Sequence, residues 1–229
     1  MTPIEQAKYN AAKAALNYVK NGMVIGLGTG STANKAIELL AEKVVDEELN
    51  IICIATSRKT EELAKSLKLE LRTLDEIKKV DITIDGADEV DGNLNLIKGG
   101  GGALFREKLI AKISDKKVII VDNTKVVDNL GENFPVPIEV VPFSVPVVKP
   151  FIERLKATVT LRMINEQPFT TDNGNYILDA KFTRIADPKS LEKKLKMVTG
   201  IVEIGLFVDL ADIVIIGNPQ GSITVKRKK

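Results

Sequence analysis

The sequence predicts an α/β protein: a doubly wound, mostly parallel, Rossmann-like sheet with an inserted ferredoxin-like α+β unit. Three observations predict it. Short apolar runs alternate with helix-patterned stretches through the first half of the chain. The rhythm changes near Gly131, where Pro135, Pro137, Pro142, Pro146 and Pro150 crowd one stretch. The final apolar run, Ile213–Ile216, looks like the earlier buried strands, which returns it to the first sheet.

Thr2-Pro3-Ile4-Glu5 is a capping box with proline in the first helical turn, and it starts a helix that runs to about Lys20. Met23–Leu27 is a strand and Gly28-Thr29-Gly30-Ser31 a glycine loop. Ala33, Ala36, Ile37 and Leu40 give the next stretch, from Thr32 to about Val45, helical spacing. Ile51–Ala55 reads as a strand, Lys59–Leu67 as a helix, and Val80–Ile84 as a strand ending in Asp85-Gly86. Asp91-Gly92 signals a tight turn before a short strand at Leu94–Ile97. Lys98 and four glycines lead into a helix from about Ala103 to Ile113, and Val118–Val121 is a further buried strand.

Beyond the prolines the order is strand (Val136–Val141), helix (Val147–Lys156), strand (Ala157–Met163), a turn at Asp172-Asn173-Gly174, and strand (Tyr176–Phe182). Asp187-Pro188 then caps a helix to about Met197, and Ile201–Leu206 is a strand. This β-α-β-β-α-β order is the split βαβ, or ferredoxin-like, unit. The expected boundaries are therefore 1–130 plus 206–229 for the larger domain and 131–205 for the insertion. The insertion is expected to cover the site or to make an oligomer contact, as a homodimer or homotetramer.

Composition narrows the chemistry. The 229 residues include 33 Lys and Arg against 31 Asp and Glu, so no overall basic field points to nucleic acid. Lys226-Arg227-Lys228-Lys229 reads as a solvated tail. No apolar run is long enough for a membrane span, and charge interrupts the N-terminus too early for a signal peptide. One cysteine, Cys53, forms no intramolecular disulfide and sits in an apolar run, which points to a reducing cytoplasm. With no histidine, neither a Ser-His-Asp nor a Cys-His site is possible. Acid–base chemistry near neutral pH then falls to carboxylates and lysines.

Four loops fall beyond the carboxyl ends of parallel strands, where open α/β sheets bind ligands. In the first, Gly28, Thr29, Gly30, Ser31 and Thr32 lead into a helix whose free N–H groups favour an anion. It is not a Walker A loop, since no lysine follows. It matches GxGxxA, but Thr56-Ser57-Arg58-Lys59 stands where a ribose-binding acid belongs, so a mononucleotide-sized phosphate fits better than a dinucleotide. The second loop is Asp85-Gly86-Ala87-Asp88-Glu89. Turn formation, a Mg²⁺ site and proton transfer to sugar hydroxyls are its readings, and the last suits it best. The third, Lys98 with Gly99, Gly100, Gly101 and Gly102, reads as a linker or as a cradle for an oxyanion beside a positive charge. Glu107, one turn into the following helix, is either a favourable charge at a helix start or a base. In the fourth, Asp122-Asn123-Thr124-Lys125, Lys125 is placed to reach a phosphate, as Lys8 is from the first helix.

Together these motifs resemble ribose-5-phosphate isomerase of the A type, in order along nearly the whole chain. Thr171-Asp172-Asn173-Gly174-Asn175 and Gly205-Leu206-Phe207 agree with it as well. The resemblance implies interconversion of ribose 5-phosphate and ribulose 5-phosphate, in the non-oxidative pentose phosphate pathway, with no metal and no cofactor. It assigns Glu107 as the base and places Asp85 and Asp88 at the sugar hydroxyls and ring oxygen. Lys98 and its glycine loop lie near the enediolate oxygen, and Gly28, Thr29, Gly30, Ser31, Thr32, Gly86, Ala87, Lys8 and Lys125 belong to the substrate contacts. Two other readings remain at this level: a non-catalytic sugar-phosphate sensor on the same scaffold, and a nucleotide-dependent enzyme using GxGxxA.

Overall fold

The computed structural model describes residues 1–228. The chain begins with helix α1 (Pro3–Ala15), strand β1 (Val24–Leu27), α2 (Ser31–Asp46), β2 (Ile52–Ala55), α3 (Arg58–Ser66) and β3 (Val80–Asp85). Next come β4 (Glu89–Val90), β5 (Leu96–Ile97), α4 (Leu104–Lys112) and β6 (Ser114–Asp122). They are followed by β7 (Val136–Val140), α5 (Val145–Glu153), β8 (Ala157–Leu161), β9 (Met163–Ile164), β10 (Gln167–Pro168) and β11 (Tyr176–Phe182). The last elements are α6 (Pro188–Lys196), β12 (Ile201–Ile204), β13 (Leu206–Phe207), β14 (Ile213–Gly217) and β15 (Ile223–Arg227). The chain forms two compact units. Unit 1 comprises 1–87, 106–125 and 210–229, and unit 2 comprises 88–105 and 126–209.

Unit 1 is built on a six-stranded sheet of order β15-β14-β6-β3-β1-β2. All of its pairings are parallel except that of β15 with β14. The chain runs outward from β1 to β2 and then returns to place β3 on the other side of β1. That reversal is a topological switch point, where neighbouring loops diverge and leave a crevice at the carboxyl ends. Ile25, Ile37, Leu40, Ile82, Ile120 and Ile215 are core residues of this unit. Each such side chain contributes about 1.5–3 kcal/mol when fully buried.

The capping box starts α1 as its residues require. Thr2 Oγ1 accepts from the Glu5 N–H, and Glu5 accepts from the Thr2 N–H, which holds the Glu5 carboxyl below its usual range. The buried face of α1 is Ala7, Ala11, Ala12 and Ala15, small enough for close approach to the sheet. At Gly217 of β14 a Cβ would lie 1.9 Å from the Ala7 carbonyl oxygen, so this contact tolerates no side chain. Cys53 is fully buried in β2.

The basic C-terminus differs from the expected solvated tail. Lys226 and Arg227 belong to β15, opposite Val214 and Ile213, while Lys229 lies outside the described residues. Charged residues suit this position, since they discourage further pairing at the sheet edge.

Unit 2 contains an antiparallel sheet of order β12-β7-β11-β8, with α5 packed near β8 and α6 near β12. Val136, Ile138, Val148, Ile152, Leu178 and Leu195 belong to its core. A second antiparallel sheet, β13-β5-β4, recruits 88–105, so the unit begins well before the change of rhythm at Gly131. Two buried carboxylates organise its loops. Glu89 accepts the backbone N–H groups of Gly131, Asn133 and Phe134 at 2.5, 2.5 and 2.7 Å. Glu139 accepts from Thr171, Asn173 and Asn175 on one oxygen, which ties the Thr171–Asn175 turn to β7. Among the described residues no helix is long and apolar enough to cross a membrane.

Candidate active site

Unit 1 carries Lys8, Gly28, Thr29, Gly30, Ser31, Thr32, Asp85, Gly86, Ala87, Glu107 and Lys125. Unit 2 carries Asp88, Lys98, Gly99, Gly100 and Gly101.

In unit 1, parallel register sets Leu27 beside both Ala55 and Ile84. The next residues, Gly28, Thr56 and Asp85, therefore emerge together at the switch point. Asp85 is buried, and its Oδ1 accepts the N–H groups of Thr29 at 3.1 Å and Gly86 at 2.7 Å. Those donors fix the orientation of the carboxylate. A Cβ on Gly28 would stand 2.1 Å from the same oxygen. Glycine is thus required at 28 by close approach, and at Gly30 by a φ of 122°.

Gly30 is the N-cap of the sixteen-residue α2, whose first turn carries Ser31 and Thr32. Lys8 Nζ donates to Ser31 Oγ at 2.8 Å. A cation, a hydroxyl and the unpaired N–H groups of a helix start converge here, an arrangement suited to a phosphate. Lys125 is half-buried on the single turn Asn123–Lys125 after β6. Asp122, just before that turn, accepts from both the N–H and the hydroxyl of Thr124. Glu107 lies in the first turn of α4 and is only 4% exposed.

Thr29 reveals residues that sequence reasoning passed over. Its hydroxyl donates to Ser57 Oγ at 2.9 Å, Ser57 donates to Thr60 at 3.0 Å, and Thr60 donates to the Gly28 carbonyl at 2.9 Å. Thr56 stands 2.7 Å from the Thr29 hydroxyl. A chain of hydroxyls thus supports the glycine loop from below, and the Thr29 side chain belongs to it. The signal was the Thr56-Ser57 pair after β2, which mattered in sequence only as the absence of an acid.

In unit 2, Asp88 Oδ2 accepts the Gly100 N–H at 2.8 Å. A Cβ on Gly100 would lie 2.6 Å from Asp88 Oδ1 and 3.0 Å from the Phe134 ring. Gly99 and Gly102 have φ of 107° and 80°, so the glycine run is a shaped turn rather than a linker. Lys98 is 3% exposed; its N–H donates to the Gly205 carbonyl and its ammonium lies 5.5 Å from the centroid of Phe207. Arg162 donates to the carbonyl oxygens of Gly99 and Gly100, both at 3.0 Å. Nothing in the sequence around Arg162 signals that contact.

Both oxygens of Glu89 are committed to backbone donors, so the third acid of Asp85-Gly86-Ala87-Asp88-Glu89 is a loop anchor. Among the described residues, no three His, Cys, Asp or Glu side chains are grouped to hold a metal ion.

The profile of the family ribose 5-phosphate isomerase A (phosphoriboisomerase A) matches residues 52–221. The chain belongs to the ribose 5-phosphate isomerase A family. A family member from Dinoroseobacter shibae named ribose-5-phosphate isomerase A is 48% identical over 99% of this chain and 89% of its own length. One from Jannaschia sp. is 47% identical over 99% and 88%. A solved D-ribose-5-phosphate isomerase in complex with phospho-erythronic acid superposes with a TM-score of 0.96 at 42% identity, covering 99% of this chain and 100% of its own. The ribose 5-phosphate isomerase A of Methanocaldococcus jannaschii superposes at 0.93 with 40% identity, covering 98% and 99%.

Proposed function

We propose that this chain interconverts D-ribose 5-phosphate and D-ribulose 5-phosphate by moving a proton between C1 and C2. The observation that carries the reading is 48% identity along 99% of the chain to a ribose-5-phosphate isomerase A. Local geometry supports it. The start of α2, with Ser31, Thr32 and Lys8, suits the phosphate, and Lys125 adds a second cation. Asp85, oriented by two N–H donors, accepts from a sugar hydroxyl, and Asp88 serves the ring oxygen during ring opening.

In the open-chain aldose, the Glu107 carboxylate removes the proton on C2. The electron pair forms the C1–C2 double bond, and the carbonyl π electrons move onto O1 to give an enediolate. Lys98 and the N–H groups of its glycine loop stabilise that charge. Glu107 returns the proton to C1 as the C2 oxygen becomes the carbonyl and its proton passes to O1. One carboxylate held between adjacent carbons suffices for this shift, and burial of Glu107 limits competing hydration.

The step is metal-free in this reading, which the commitment of Glu89 to backbone donors supports. The β12-β7-β11-β8 order supports a ferredoxin-like reading of unit 2. Exposed Phe143, Val147 and Met197 on that unit support assembly as a homodimer or homotetramer. A cytoplasmic location accords with the buried free Cys53.

Ribose 5-phosphate is supplied to purified protein in D₂O, with and without EDTA. Ribulose 5-phosphate forms at equal rates in both, and deuterium enters the transferred position by exchange on the base. No turnover would end the proposal, strict retention of hydrogen would end the carboxylate mechanism, and loss of rate in EDTA would make Asp85 and Asp88 metal ligands.

A further inference from the structure

We infer that Arg162 is a positioning residue for the isomerase reaction, acting through the Gly99–Gly100 peptide on Asp88 and on the glycine loop. The inference rests on the roles proposed above for Asp88, Lys98 and the loop.

Arg162 follows β8 and is held at every polar atom of its head. Its Nε and Nη2 donate to the two carboxylate oxygens of Asp179 on β11, at 2.8 and 2.5 Å. Its Nη1 donates to both glycine carbonyls. The guanidinium lies 5.8 Å from the centroid of Phe169, and its own backbone is fixed by bonds to Ile177 and Phe169. Phe169 in turn fills the space beside Gly102, where a Cβ would lie 2.3 Å from the ring. The side chain is 15% exposed, slightly less than its partner Asp179 at 17%. A bidentate Arg–carboxylate pair is the geometry in which arginine is least replaceable.

The consequence lies in the peptides it grips. In a trans peptide the carbonyl and the N–H point in opposite directions, and among the described residues no peptide bond is cis. Holding the Gly99 carbonyl therefore aims the Gly100 N–H, which Asp88 Oδ2 accepts at 2.8 Å. One peptide thus has a cation at its oxygen and a carboxylate at its hydrogen, and each bond polarises the other. Holding the Gly100 carbonyl aims the Gly101 N–H in the same way. Glycine peptides at φ of 107° and 80° have no side chains to fix them, so an external clamp sets the direction of the donors. Donors preset where charge develops act on turnover more than on ground-state binding.

The test measures kcat, KM for ribose 5-phosphate, and inhibition by phospho-erythronic acid, whose carboxylate presents two oxygens sharing a negative charge as the enediolate does. In Arg162→Met we expect kcat to fall about 10- to 100-fold with KM within about threefold, and inhibition by the acid to weaken at least about tenfold. Arg162→Lys keeps a charge opposite Asp179 but not the two-carbonyl clamp, so a smaller loss of kcat with the same sparing of KM is expected. It supplies the same readings if Arg162→Met does not fold. Unchanged kcat and inhibition, or a loss confined to KM, would overturn the role of Arg162. Lys98→Met separates the two levels: wild-type turnover there would overturn the role given to the loop itself. A deep loss there beside an unaffected Arg162→Met would overturn only the inference about Arg162.

Discussion

The Asp85 carboxylate occupies the space that a side chain on Gly28 would need: a Cβ at 28 would lie 2.1 Å from Asp85 Oδ1. The glycine that opens the 28–32 loop and the acid that ends β3 are therefore one steric unit. Gly28→Ala must push Asp85 away from the Thr29 and Gly86 N–H groups. Turnover should fall about 100-fold, with a loss of about 1–3 kcal/mol in stability from overpacking. Gly92→Ala is the control, since a Cβ there meets nothing within 4 Å. Equal kinetics for the two variants would show that Asp85 tolerates displacement.

Glu107→Gln preserves shape and removes the proposed base. Its kcat should drop by about 10²- to 10⁴-fold while KM changes little. Exchange of substrate hydrogen with D₂O should disappear in parallel. A variant with wild-type turnover would remove Glu107 from the proton transfer.

Thr60 links the hydroxyl chain to the Gly28 carbonyl and is 1% exposed. Thr60→Val keeps the shape but leaves that carbonyl and the Ser57 hydroxyl short of a partner. A cost of about 1–3 kcal/mol in urea unfolding is expected, together with a raised KM as the proposed phosphate-binding loop loosens. Unaltered stability and KM would mean that the chain of hydroxyls supports nothing.

Burial pushes the Cys53 thiol up to about 12, with a smaller contribution from the Glu70 charge. The folded protein therefore resists thiol reagents at pH 8, where the reactive thiolate is scarce. The sign of the linkage follows. A thiol that titrates later in the folded state binds more protons there between its unfolded value, about 8.5, and 12. Its contribution is complete below that window and is lost as pH rises through it. Cys53→Val should flatten this alkaline decline in urea-unfolding curves between pH 9 and 11, and rapid labelling of native protein at pH 8 would contradict the burial.

Much of the fold was legible because local chemistry announces it. The Thr2 and Glu5 capping box, the alternation of apolar runs, and Asp187-Pro188 each specify a nearby backbone through neighbours a few residues away. The site motifs were legible for a related reason: glycine loops and acids at strand ends have few structural uses that demand those residues together. β15 escaped notice because its charges mask a strand that only pairing with β14 reveals.

By itself the sequence determined the alternating α/β order, the return of Ile213–Ile216 to the first sheet, and the residues that carry the family motifs. Only the tertiary structure decided which neighbours those residues have. It turned the Thr29 hydroxyl toward Ser57, committed Glu89 to the 131–134 backbone, and set Arg162 on the carbonyls of Gly99 and Gly100. Arg162 and Gly99 are 63 positions apart in the chain. Contacts at such separation depend on strand order and close packing, and neither leaves a local pattern to read.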